Sequence, residues 1–554
     1  MHVVLSSAPG GVLLTPVADD GAVVPGAVTI ATHELSAEIA RREPDRPRWV
    51  WDDTARWYPQ LLADGVRVER CVDLRLSHVI LRNSALTAGS TLANAPYGPW
   101  DAPAVAVQQH SGTLFDFVDE PPQGATADPI EEFRLQRAAL ESSASANSLG
   151  LLLAAESAGA LIAAEMRFAG LPWSVQRHDE LLTGLLGPRP RTGERPAKLE
   201  AVLGRVRAAL DAPELNPDSP TDLMRALRRV GLLVNSTRSW ELKKIEHPVI
   251  EPLLEYKKLS RLLAANGWYW LDTWVDEGRF RPDYVPGGVV TGRWATSGGG
   301  ALQLPKQIRG AVVPDEGWKL IVADAAQLEP RILTGLSGDQ KMAEAGRGDL
   351  YEGIVASGAV ATRAEAKVAM LGAMYGATSG EGGRLMPRLT RAFPRAIAMV
   401  EAAARAGERG EVVSTRLGRS SPRPGESWHE AQGEANGVQA TDLDERRALS
   451  QSRSWGRFTR NFIVQGTAAE WALCWMAGLR NRLWAMADGD FADRPHLVFF
   501  LHDEVMVHAP AHLADRVAEE VRAAAADAGR LIFGALPVGF PVTVAIVDSY
   551  ADAK

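Results

Sequence analysis

Two apolar runs, Phe499-Phe500-Leu501 and Val505-Met506-Val507, flank the polar tripeptide His502-Asp503-Glu504. β-Prone residues on both sides of a tight polar turn predict a hairpin with adjacent carboxylates at its tip. A second apolar run, 320–323, predicts a buried strand ending at Asp324, with helical periodicity over 327–336 behind it. Thr362 followed by Glu365 predicts a helix start. In the segment that follows, Arg363, Lys367, Leu371 and Tyr375 recur every fourth residue. At ~100° per residue such positions drift slowly and share one broad helix face. A core stripe would be apolar throughout, whereas this one carries two cations and a phenol. Helical periodicity also covers 157–168, 224–233 and 251–266. Residues 1–120 instead mix short β-like runs (3–5, 12–17, 49–51 and 79–81) with helical pieces. The stretch Glu120-Pro121-Pro122-Gln123-Gly124 predicts a boundary or linker. Residues 407–452 are polar and rich in glycine and charge, which predicts a mobile loop. No internal repeat is evident.

The carboxylates are the chemically suggestive part. Mg²⁺ takes oxygen ligands and completes its shell with water and substrate phosphates, so acids on a rigid turn suit it. Two-metal phosphoryl transfer needs carboxylates from separate elements, holding ions ~3.5–4 Å apart. Asp324 and Asp503 supply that pair if the fold sets the strand end beside the hairpin. The stripe on the 362 helix suits a triphosphate at its cationic end and a base at its phenol end. Taken singly, each feature has a plainer account. Asp324 serves as a helix cap, the tripeptide as a polar turn, and the stripe as a solvated basic edge.

Read together and in order, these segments resemble motifs A, B and C of the DNA polymerase I family (family A). Asp324, Gln327, Glu329 and Arg331 fit the first motif, Arg363, Lys367, Tyr375 and Gly376 the second, and residues 502–504 the third. Thr291-Gly292-Arg293-Trp294 with Leu302-Gln303-Leu304-Pro305 resembles the family's Thr-Gly-Arg region. Arg457, Asn461 and Gln465-Gly466-Thr467-Ala468-Ala469 resemble its template-contacting helix. The resemblance covers roughly half the chain.

That resemblance implies a multidomain α+β architecture. A right-hand polymerase, with an antiparallel palm sheet and helical fingers and thumb, would follow an α/β exonuclease-like (RNase H-like) domain. The implied limits are 1–125 for a degenerate 3′–5′ exonuclease-like domain and 150–290 for thumb and connection. Palm would take 291–335 and 453–554, and fingers 336–452. Asp324, Asp503 and the backbone carbonyl of Ala325 would hold two Mg²⁺ ions, with Mn²⁺ an acceptable substitute and Glu504 in support. Lys367 would join the catalytic set and, with Arg363, hold the incoming dNTP. Leu371, Tyr375, Glu329 and Gln327 would complete the nucleotide site, Glu329 as a steric gate against a 2′-hydroxyl. Arg293, Gln465, Arg457, Asn461 and His502 would meet primer–template DNA.

Departures from the family pattern bear on nucleotide selection rather than on the metal chemistry. Leu371 stands where the family has Phe or Tyr, Pro330 replaces an aliphatic residue, and Tyr351 replaces a His. In the amino-terminal region, residues 57–65 and 73–76 resemble part of the family's proofreading domain. The opening strands nevertheless lack an Asp-x-Glu, and Trp57 occupies the place of a catalytic Asp. An indole cannot ligate Mg²⁺. The expectation is an exonuclease-like fold without its chemistry, acting as packing support or as a single-strand platform through exposed aromatics such as Trp57. The layout resembles short actinobacterial members described as bifunctional 3′–5′ exonuclease/DNA polymerases.

Composition changes this picture little. A chain of 554 residues predicts several domains. Two cysteines make no disulfide framework and suit a reducing cytoplasm, nucleoid-associated in a bacterium. With no leader and no apolar run expected to span a bilayer, no membrane partner is expected. A net charge of −8 opposes indiscriminate DNA coating but leaves room for a local basic face. Candidates for that face are Arg225, Arg228, Arg229, Lys243, Lys244, Lys257, Lys258 and Arg261. The implied protein is a monomeric, template-directed DNA polymerase. Alternatives are an active bifunctional exonuclease/polymerase, a single-subunit RNA polymerase, which the Glu329 gate opposes, and a non-catalytic DNA-binding scaffold.

Overall fold

The computed structural model describes residues 1–101, 127–376, 380–437 and 440–553. The expected linker at 120–124 lies outside them. The chain forms two compact units, Met1–Ala169 with Asp283–Ser297 and Ile321–Ala545, and Gly170–Pro282 with Gly298–Leu320 and Ile546–Lys554. These limits fall differently from the domain limits read from the sequence.

The first unit opens with strands β1 (His2–Ala8), β2 (Gly11–Val17), β3 (Val28–Ile30), β4 (Arg48–Trp51) and β5 (Cys71–Asp73). They form one sheet in the order β3-β2-β1-β4-β5. The pairs β1–β2 and β2–β3 are antiparallel, whereas β4 and β5 run parallel to β1. Alternation buries both faces. Val3, Leu5, Trp49 and Trp51 pack with Tyr58 and Leu61 on one side, and Val4 and Val50 with Leu74 and Phe133 on the other.

The helices that accompany this sheet include α1 (Thr54–Ala63), α2 (Leu74–Asn83), α3 (Pro129–Glu141) and α4 (Ala146–Ala169). The β-like run 79–81 lies inside α2, which corrects the sequence reading. Asp73 caps that helix through Leu76 N at 3.0 Å, and Leu74, Ser77, His78 and Leu81 bury one helical face. α4 also corrects a reading, because it is long and apolar enough to cross a membrane by length and composition alone. Its apolar surface is instead spent in packing, two-thirds of it buried. Its acids take part as well. Glu165 pairs with Arg480 and accepts from Tyr58, and Glu156 pairs with Arg419.

The later part of the unit has a sheet in the order β7-β8-β6-β9, made of β6 (Trp318–Ala325), β7 (His496–Leu501), β8 (Glu504–Pro510) and β9 (Val542–Val547). Around it run α5 (Leu328–Ser337), α6 (Leu350–Ala356), α7 (Arg363–Tyr375), α8 (Pro394–Glu408), α9 (Asp442–Trp484) and α10 (Ala514–Phe533). α9 packs on α8 and α10 and buries Trp471 and Trp475. The polar stretch 407–452 carries a helix, Glu426–Ala435, and the first turns of α9, which starts at a Thr441/Asp444 capping box.

The second unit is mainly helical, with Val175–Leu186, Ala197–Ala209, Pro220–Arg229 and Ile250–Asn266, and it holds an aromatic cluster of Trp173, His178, Trp270 and Phe280. The periodicity at 251–266 corresponds to the last of these helices. That at 224–233 overruns, because Gly231 at φ +83° breaks the pattern.

Candidate active site

β6 is buried through Leu320, Ile321, Val322 and Ala323, and the next residue, Asp324, is part-exposed one place before the strand end. The hairpin β7–β8 closes as expected, with Leu501 opposite Glu504 and only His502 and Asp503 between them. His502 adopts φ +59°, the left-handed conformation that a two-residue turn demands. Because β8 neighbours β6, the turn comes to rest against the end of β6. Ala325 N donates to Asp503 O at 2.9 Å. Tyr284 fixes the far strand, its hydroxyl donating to Phe500 O and accepting from Phe500 N. Asp324 and Asp503 are thus half-buried neighbours, and Glu504 lies buried behind them. Two carboxylates and a strand-end carbonyl are oxygen donors of the kind a divalent cation takes. Among the described residues no group of three His, Cys, Asp or Glu side chains is arranged to hold a metal.

α5 starts from Gln327, itself at φ +55°. Pro330 falls in the first helical turn, where no intrahelical donor is needed, so this departure costs the helix nothing. Gln327 is engaged within the chain. Its amide oxygen accepts from Leu350 N at 2.9 Å and from Arg331, and its amide also bonds Asp349. Arg331 is buried and ties the carbonyls of Ala326, Gly346, Gly348 and Gly539 together. Both residues of the motif therefore hold the chain that leads to α6 and α7.

α7 begins at Thr362, whose side chain accepts from Glu365 N, while Glu365 reaches one residue further back, to Ala361 N at 2.8 Å. Its buried face is Ala366, Ala369, Met370, Ala373 and Met374. The stripe Arg363, Lys367, Leu371 and Tyr375 faces outward, with Leu371 38% and Tyr375 43% exposed. It is a presented surface rather than core. Arg363 binds Asp349 at 2.9 Å and lies over the ring of Tyr351.

The separate motifs meet at Glu329. Arg293 pairs with one of its oxygens, and Tyr375 Oη donates to the other at 3.2 Å. Gln465 Nε2 in turn donates to Tyr375 Oη at 3.1 Å. Burial and then Glu329 raise the Tyr375 pKa. His502 stands close by, its pKa lowered by partial burial and by Arg293 against the pull of Glu329. Arg457, Asn461 and Gln465 follow at helical spacing along α9, and Asn461 Oδ1 is buried with no hydrogen bond among the described residues.

Beneath this cluster lies a polar layer that sequence reasoning missed. Gly292 sits at φ +83° against Arg419, so a Cβ there would fall 2.5 Å from Nε. Arg419 pairs with buried Glu156 at 2.7 Å, and Glu470 accepts from Thr415 and from Leu417 N. Gly466 leaves room for Thr415.

The family description "DNA polymerase family A" matches residues 193–552, well over half of the chain. The chain belongs to DNA polymerase family A. Curated relatives include thermostable DNA polymerase I of Thermus aquaticus, 26% identical over 59% of this chain and 39% of that one. Another is DNA polymerase I of Pseudomonas aeruginosa, 25% identical over 67% of this chain and 41% of that one. The chain therefore spans about two-fifths of the length of these relatives. The solved polymerase domain of Pol1 from M. smegmatis, in complex with DNA primer-template and dNTP, matches with a TM-score of 0.68 at 19% identity. The match covers 100% of this chain and 95% of that one. The fold is the mixed α+β fold of family A polymerases.

In this family A chain the amino-terminal acids are differently employed. Asp52 accepts from the Trp57 indole and, at 2.7 Å, from Arg56, which also reaches Ser7. Asp73 caps α2 and accepts from Thr54 N and Oγ1. Burial, with Asp53 adding, lifts its carboxyl to about 7. Trp57 is not the exposed platform read from the sequence. It lies on the inner face of α1, only 8% exposed. The candidate basic residues of the helical unit are mostly exposed, and Arg225, Arg228 and Arg229 line one open cleft.

Proposed function

We propose that this chain is a template-directed DNA polymerase that extends a primer 3′-hydroxyl with dNTPs by two-metal nucleotidyl transfer. The adjacency of Asp324 and Asp503, fixed by the Ala325–Asp503 hydrogen bond beside the Glu329 cluster, carries the reading. Two Mg²⁺ ions at these carboxylates and the Ala325 carbonyl would activate the hydroxyl and neutralise charge on the leaving pyrophosphate. Lys367 and Arg363 bind the triphosphate, Arg363 trading the Asp349 carboxylate for phosphate. Tyr375 offers its ring to the nascent pair. Glu329, pinned by Arg293 and Tyr375, fills the space a 2′-hydroxyl needs. Arg293, Gln465, Arg457 and Asn461 face the duplex end, with His502 near the primer terminus. The names of the relatives support DNA as the substrate.

In this reading residues 291–335 and 453–554 act as palm, 336–452 as fingers and 150–290 as thumb and connection. Residues 1–125 are an exonuclease-like domain without its chemistry. Three antiparallel strands followed by two parallel ones support the likeness. The loss of chemistry is supported by Arg56 and Trp57, which occupy Asp52, and by the capping duty of Asp73. The experiment is primer extension with dNTPs, with rNTPs and with none. Asp503→Ala should abolish dNTP addition while leaving primer–template binding intact, since phosphate contacts elsewhere hold the DNA. Extension at the parental rate would end the two-metal assignment.

A further inference from the structure

A cleft of about 320 Å³ opens at the amino ends of β1, β4 and β5, walled by α3 and α4. It lies at the opposite end of the sheet from Ser7, Asp52 and Asp73, which stand at or just past the carboxyl ends of the same strands. His2 and Arg48 are register partners in the first turn of the β1–β4 pair, so the parallel topology sets them side by side. Arg137 joins them from α3, while Leu140 and Leu153 give the cleft an apolar wall. The His2 ring packs 5.1 Å from that of Phe133.

The charges here do not balance. Arg48 is half-buried and makes no ion pair or side-chain hydrogen bond among the described residues. Burial lowers its pKa, and the neighbouring guanidiniums of Arg70 and Arg137 lower it further against Cys71 and Asp19. Arg70 Nε is itself buried without a partner among the described residues. Asp19, the one carboxylate in the lining, is largely exposed and lies against His2 Nδ1. Arg137 Nε donates to the Asp19 carbonyl, and Glu141 is 3.7 Å from its Nη2. Burial also takes His2 down to about 4, so its ring is neutral near pH 7 and free to stack. Buried charges are ordinarily paired. Two guanidinium forks converging beside an aromatic pair match a dianionic phosphate on a flat apolar body. The volume is that of a small-ligand site.

We propose that this cleft binds a phosphate monoester of mononucleotide size, its phosphate on Arg48 and Arg137 and its body against His2, Phe133 and the leucines. The site is distinct from the polymerase nucleotide site and needs no metal.

The test is calorimetric titration of the full chain with dAMP in EDTA, beside deoxyadenosine and inorganic phosphate. One saturable dAMP per chain is expected, about tenfold tighter than either fragment. Arg48→Gln and Arg137→Gln should each weaken it about tenfold, with unchanged thermal unfolding midpoints. Lys367→Ala should leave it unaltered. The proposal is overturned if dAMP does not saturate in EDTA, if it binds no better than phosphate alone, if both arginine variants keep it, or if Lys367→Ala removes it.

Discussion

Glu329 is the residue on which the site turns, because Arg293, Tyr375 and the Gln465 bonded to that tyrosine all converge on it. A carboxylate held from two sides cannot swing away from an added hydroxyl. Glu329→Ala should therefore raise ribonucleotide incorporation by roughly tenfold, the effect of ~1.4 kcal/mol of discrimination. Leu371, two turns along the stripe from Arg363, has no phenol oxygen to stand in for a missing 3′-hydroxyl. Dideoxynucleotides should terminate poorly, and Leu371→Tyr should make them better terminators. Single-nucleotide incorporation with each sugar checks both, and unchanged selectivity in the pair would misplace these residues. Such positions were legible because their spacing is local and their chemistry unusual for a helix face. The bonds of Gln327 to Leu350 and Asp349 were not legible, because its neighbours in sequence do not reveal either partner. Arg419 was passed over because its partner Glu156 is 263 residues away.

Among the elements, α9 carries the largest share of buried polar residues, and Glu470 is its titratable hinge with the layer under the Thr-Gly-Arg turn. Burial lifts its carboxyl to about 7, with Glu156 adding and the Thr415, Leu417 and Arg419 contacts opposing. The folded protein then holds this proton after the unfolded chain, with an ordinary value near 4.5, has lost it. The native state binds more protons in that window, so stability is full below pH ~4.5 and declines as pH rises to about 7. The whole effect is of the order of 3 kcal/mol. In Glu470→Gln the Thr415 hydroxyl can turn to accept from the new amide. Its thermal unfolding midpoint should change less between pH 5 and pH 8 than that of the parent, and parallel pH curves would refute the assignment. Element boundaries were readable where a cap announced them, as at Thr362. They were not where an apolar run hid one: 79–81 looked like a strand until Asp73 was seen to start the helix.

At the scale of the whole chain, the amino-terminal sheet, likened above to an exonuclease, has its acids serving as caps and ion-pair partners. Proofreading requires several carboxylates free to converge on one pocket. A 3′-mismatched primer incubated with Mg²⁺ or Mn²⁺ and no dNTP should therefore remain full length. Stepwise shortening that survives Asp503→Ala but disappears with Asp52→Ala would show that the domain still cuts.

α4 has a consequence for how such a gene can shrink. The match to the family description begins at residue 193, and α4 ends at Ala169. A truncation up to that border would also discard Glu156 and Glu165, the interior counter-charges of Arg419 and Arg480. Each stranded guanidinium costs about 3–5 kcal/mol, against a total folding stability of about 5–15. The segment is thus retained for packing alone, whatever chemistry it has. Deletion would be felt in α9 and in the layer under the Thr-Gly-Arg turn, whose guanidiniums lean on α4.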